Sequence, residues 1–205
     1  MKSTRTLVRR SVAVTAAGVA AFVLAACGGG DDATGHGGGH TSKSPSAATQ
    51  GKQNAADVAF AQGMIPHHRQ AVEMAELAPR RAQSAELKKL AEQIKQAQGP
   101  EIRTLTGWLT SWGEDLPTGG GGHSMHGDGG GMMTEAEMAD LENASAKAFD
   151  TAFMELMIKH HEGAVAMAKT EQADGAYAPA KKMADAIVTS QSDEIERMNE
   201  MLGKS

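Results

Sequence analysis

DVAFAQGMIPHHRQAVEMA, residues 57–75, and DTAFMELMIKHHEGAVAMA, residues 150–168, are two versions of one stretch, and their likeness decides the fold. They align without a gap at an offset of 93, with 11 of 19 positions identical, among them both histidines and two methionines. The same offset carries Lys88-Lys89-Leu90-Ala91 onto Lys181-Lys182-Met183-Ala184, and Gln98-x-x-Glu101-Ile102 onto Gln191-x-x-Glu194-Ile195. A self-match sustained over such a length marks a duplication, and each copy is one unit of two helices.

In the first copy, residues 54–112, the apolar spacing predicts helices over about 54–77 and 84–112, with a turn near Pro79. In the second, residues 134–202, it predicts helices over about 134–169 and 178–202, the first opened by the capping box Thr134-x-x-Glu137. Pro66 and the Gly99-Pro100 pair interrupt the first copy alone and are expected to kink it. Two duplicated helical hairpins pack most simply as an all-α, antiparallel four-helix bundle with an approximate internal twofold axis.

Wound at about 100° per residue, the first stretch gathers Asp57, Phe60, Met64, His67, His68, Ala71, Met74 and Ala75 on one side, the side a bundle buries. Asp150, Phe153, Met157, His160, His161, Ala164, Met167 and Ala168 repeat that face. The partner helices carry Leu87, Leu90, Ile94, Leu105 and Leu109, with Gln98 and Glu101 in the same apolar stripe and Gln191 and Glu194 as their counterparts. Methionine alone is an ordinary core filler. Paired histidines flanked by methionines and an acid, present in both copies, are a different matter, because burying so many polar groups requires compensating bonds. Met64, His67, His68, Met74, Met157, His160, His161 and Met167 are therefore the candidate metal ligands. Asp57, Gln98, Glu101, Asp150, Gln191 and Glu194 are the candidates to orient them from behind. Thioether with imidazole and no thiolate suits Cu(I), and imidazole with carboxylate suits Cu(II), so copper is the expected ion.

The remainder of the chain agrees with an exported metal binder. Lys2, Arg5, Arg9 and Arg10 precede an uncharged run too short to span a bilayer, as in a signal peptide over residues 1–26. Leu24-Ala25-Ala26-Cys27 resembles a lipobox, which makes Cys27, the one cysteine, the lipidation site. Residues 27–52 then read as a disordered tether, and 53–205 as the duplicated domain. Loss of the leader takes the formal net charge from −5 to −9, a surface that repels nucleic acid. Between the copies lies PTGGGGHSMHGDGGGMM, residues 117–133, whose His123, Met125, His126, Met132 and Met133 could serve as a capture loop. No nucleophile–base arrangement, phosphate loop or cofactor fingerprint argues for catalysis.

The elements Met-Ile-x-His-His-x-x-Ala-Val-x-Met-Ala, at residues 64–75 and 157–168, and Gln-x-x-Glu-Ile, at 98–102 and 191–195, resemble the domain of unknown function 305 family. The resemblance implies a ferritin-like four-helix bundle, often exported, with copper binding and copper tolerance among its roles. The expectation is thus a non-enzymatic copper protein held to the outer face of the cytoplasmic membrane by its lipid, which sequesters or transfers copper. The alternatives are a ferritin-like di-metal redox enzyme and a metal-free helical interaction module.

Overall fold

The computed structural model describes residues 52–118 and 130–204, and among them the only regular elements are helices. They are α1 (Ala55–Arg81), α2 (Ala85–Trp112), α3 (Glu135–Asn143), α4 (Ala146–Asp174) and α5 (Ala178–Met201). Asn54 opens α1 by a capping box with Asp57, and Ser84 caps α2 by accepting from the Leu87 amide. Gly113 closes α2 at φ 75°, a left-handed conformation that glycine adopts without a Cβ penalty. The α1 helix runs past its expected end, through both Pro66 and Pro79, to Arg81. The α2 helix likewise continues through Gly99 and Pro100.

Where one helix is expected over residues 134–169, there are two. The predicted Thr134–Glu137 capping box opens α3, but Ala144 and Ser145 are extended and Ala146 sits at φ 51°, so α4 starts afresh. At this break Ala146 forms an isolated β-bridge with Ala82 of the α1–α2 turn. Pairing with a distant backbone there replaces the continuation of the helix.

The α1 and α4 helices pack against each other at the centre, with α2 against α1 and α5 against α4. The apolar core is divided into two clusters. One joins the C-terminal half of α1 (Ala71, Met74, Ala78) to the start of α2 (Leu87, Leu90, Ile94), the start of α4 (Phe149, Phe153, Met157) and Met198 of α5. The other joins Phe60, Met64 and Ile65 to Leu105 and Leu109, to Ala164 and Ala168, and to Ala180, Ala184 and Ile187. The late part of α1 thus meets the early part of α4, and the two run antiparallel. Each fully buried Leu, Ile or Phe in these clusters is worth about 1.5–3 kcal/mol relative to exposure. Among the described residues, no helix is long and apolar enough to cross a membrane.

Candidate functional site

Between the two apolar clusters lies a polar layer. His67 and His68 on α1, and His160 and His161 on α4, are all at most 2 % exposed. Adjacent histidines on a helix diverge by about 100°, and the two members of each pair have different partners here. His68 Nε2 donates to Glu101 of α2 at 2.8 Å, and His161 Nε2 donates to Glu194 of α5 at 2.6 Å. The other members, His67 and His160, meet across the α1–α4 crossing with ring centroids 3.7 Å apart and planes inclined by 42°. His67 Nε2 donates to the Gly130 carbonyl at 3.0 Å.

These contacts settle which nitrogen is left over. A carboxylate or carbonyl oxygen only accepts, so His67, His68 and His161 each carry a proton on Nε2, and Nδ1 is the ring nitrogen left over. Those three Nδ1 atoms, and both ring nitrogens of His160, are buried without a hydrogen-bond partner among the described residues. Burial, reinforced by the neighbouring His68, lowers the His67 pKa to about 3. Burial and then the neighbouring His67 hold His160 well below the usual imidazole value. Both rings are therefore neutral near pH 7, the form in which imidazole ligates metals.

The methionines border this layer. Met64, Met74 and Met157 are fully buried, and Met167 is partly so. Met64 and Met167 belong to the Phe60 cluster, Met74 and Met157 to the Phe149 cluster, so each side of the histidine layer receives one methionine from each repeat. Among the described residues, no three His, Cys, Asp and Glu side chains are gathered into a group that could hold a metal ion. That absence covers the four histidines as well as the carboxylates: across the α1–α4 crossing, the ring contact is between His67 and His160.

Other candidate residues have different tasks. Asp57 accepts from the amides of Ala176 and Tyr177, in the turn between α4 and α5. Asp150 accepts from Gln83 and Ser84, in the turn between α1 and α2. Each aspartate closes the turn of the other repeat instead of standing behind a histidine. Burial alone would raise the Asp57 pKa, but hydrogen bonds from the backbone of Asn54 and Tyr177, among others, outweigh it and hold the carboxyl below its usual range. Gln98 and Gln191 are buried, yet Nε2 and Oε1 of Gln98 and Oε1 of Gln191 have no hydrogen-bond partner among the described residues. Met133 is buried in the Phe149 cluster, Met132 partly buried, while Cys27, His123, Met125 and His126 lie outside the described residues.

Sequence reasoning missed two features. Glu171 is 1 % exposed beside Asp57, where the first copy has Ala78. Burial, then the adjoining Asp57 carboxylate, pushes its pKa up to about 8, against an opposing contribution from Lys181. Gln70 and Gly163, which correspond to each other at the offset of 93, both touch the end of the linker. The signal for both lay in the places where the copies differ, and the comparison of copies weighed what they share.

Residues 57–202 match the family described as domain of unknown function (DUF305), and the chain belongs to it. Solved structures agree. A Streptomyces coelicolor DUF305 protein, described as secreted, is 34 % identical, with 73 % of this chain and 93 % of that one covered and a TM-score of 0.66. A DUF305 fragment from Deinococcus radiodurans is 32 % identical over 76 % of this chain and 100 % of that one, with a TM-score of 0.67. CopM in its Cu(II)-bound form is 36 % identical over 71 % and 94 %, with a TM-score of 0.62, and CopM is also known in Cu(I)- and silver-bound forms. No curated protein sequence matches the chain.

Proposed function

We propose that this protein binds copper for sequestration, tolerance or transfer, that it is not an enzyme, and that it works outside the cytoplasm, anchored through Cys27. One observation carries the reading: the buried imidazole nitrogens left without partners, repeated in both copies and bordered by thioethers. Desolvating such groups without compensation is costly, and a soft metal ion is what offsets it. His67 and His160, in ring contact across the α1–α4 crossing, would be the first ligands, with His68, His161, Met64, Met74, Met157 and Met167 as the further donors that an ion would draw in. Glu101 and Glu194 keep His68 and His161 in the tautomer that offers Nδ1. The copper- and silver-bound forms of CopM, and the description of the Streptomyces relative as secreted, support the choice of ion and of location.

In the same reading, the four long helices form an antiparallel, ferritin-like bundle, and His123, Met125, His126, Met132 and Met133 assist capture. Cu(I) is the favoured state, because the donor set joins thioether to neutral imidazole; Cu(II) is the other candidate. Bound copper is here the cargo, and the chain's own work is to offer soft donors in a water-poor layer. The Glu101–His68 and Glu194–His161 pairs favour a second reading, a di-metal redox centre, which oxygen- or peroxide-dependent turnover after iron or manganese loading would support.

The test is elemental analysis with a Cu(I) competition titration, beside a variant carrying H67Q, H68Q, H160Q and H161Q. Stoichiometric copper in the parent, lost in a variant with the same helical circular dichroism, is the expected result. Copper absent from both, or equal in both, defeats the proposal.

A further inference from the structure

Gly130 and Gly131 cross the α1–α4 pair directly over the histidine contact. A Cβ built on Gly163 of α4 would lie 1.9 Å from the Gly130 carbonyl oxygen, so α4 admits this backbone only because residue 163 is glycine. Gly131 is equally constrained, at φ 82° with a would-be Cβ 2.6 Å from the Lys159 carbonyl. Two residues on, Gln70 of α1 grips Met133 from both sides: its Nε2 donates to the Met133 carbonyl at 2.9 Å, and its Oε1 accepts from the Met133 amide at 2.7 Å. The Met133 side chain, 6 % exposed, is buried with Met154 and Met157 in the core. At the α4 side, the Gly130 carbonyl also accepts the hydrogen bond from His67 Nε2–H.

Gln70 and Gly163 occupy equivalent positions of the two copies. At one the side chain is a two-point amide clamp, and at the other there is no side chain at all. Both departures serve the same short segment.

We propose that residues 130–133 are a strap that closes the His67–His160 pair off from solvent, latched by Gln70 and Gly163, and that it must lift before an ion reaches those imidazoles. The proposal rests on the copper reading for its ion, but the latch itself can be tested without metal. Lifting the strap breaks the Gly130–His67 hydrogen bond and the two Gln70 bonds, and it frees Nε2 of His67 as well as exposing His160. The strap therefore sets the rate of access, and it favours ligands soft enough to compete for imidazole once the strap is raised.

Two full-chain variants separate the grips. G163A ejects the strap at the α4 side while improving the helix propensity of its site, and Q70A removes the clamp at the α1 side. Three readouts apply to each: hydrogen exchange at the Met133 amide, diethylpyrocarbonate modification of His67 and His160 in metal-free protein mapped by mass spectrometry, and stopped-flow association of silver(I). Both variants are expected to lose Met133 protection, to modify His67 and His160 at least about tenfold faster, and to take up silver correspondingly faster at unchanged stoichiometry. Met133 protection that stays at the parent level in both variants overturns the latch. Protection lost with modification rates unchanged overturns the closure. A parent that binds no silver defeats the copper reading instead, and the modification rates still decide the strap.

Discussion

Set side by side, the two repeats agree in some contacts and differ in others, and the division follows geometry. Both pair a histidine with a glutamate 33 residues on, His68 with Glu101 and His161 with Glu194. Both send an early aspartate across to cap the other's turn, Asp57 to Ala176 and Tyr177, Asp150 to Gln83 and Ser84. They part company at Gln70 against Gly163 and at Ala78 against Glu171. The strap crosses the molecule once, so it cannot meet two equivalent positions in the same way. Contacts that a twofold arrangement needs twice are present twice, and asymmetry enters where a single segment or a single turn has to be served.

The largest effect on this comparison is expected from the reciprocal caps. D57A leaves the buried Tyr177 amide and the part-buried Asn54 and Ala176 amides without their carboxylate and should cost about 3 kcal/mol; D150A, with two part-buried amides to lose, should cost about 2 kcal/mol. Urea denaturation at pH 7 measures both, and losses under about 0.5 kcal/mol would break the claim that each aspartate holds the other repeat together.

Next comes the acid present in one copy only. The folded pKa of Glu171, about 8, lies above its ordinary value of 4.5, so between these two values the native state binds more protons than the unfolded one. Stability is therefore lost as pH rises from about 4.5 through 8 and levels off above that. E171Q should match the parent near pH 4 and exceed it by about 2 kcal/mol at pH 9, with Asp57 and Lys181 as the charged groups facing the site. A difference that stays flat with pH would show that Glu171 titrates alike in the folded and unfolded chain, with no raised pKa.

The smallest effect tests the equality of the repeats. E101Q and E194Q should each weaken Cu(I) binding by about tenfold, or about 1.4 kcal/mol, while leaving the fold intact. Competition titrations in which only one variant weakens would assign the site to one copy.

Much of this was legible before the structure. The duplication, the all-helical class, the Thr134 capping box and the buried His/Met face all follow from spacing, because a helix's period ties residues three, four and seven apart to one side. The break at Ala144 and Ser145 was not legible, since residues 134–169 satisfy helical periodicity throughout and it is a distant backbone, Ala82, that pairs at the break. Asp57 and Asp150 misled for a related reason. Their place on the buried face was readable, but it puts them at helix starts, level with the opposite turn, and spacing along one helix says nothing about that turn.

The sequence by itself determined that four histidines and four methionines would occupy the inner faces of two duplicated helices. Only the tertiary structure decided that His67 and His160 touch while His68 and His161 turn to glutamates, and that residues 130–133 lie across them between Gln70 and Gly163. The physical reason is that local periodicity sets the direction of a side chain about its own axis. The level at which two helices cross, and what else fits at the crossing, depend on the packing of all the elements together.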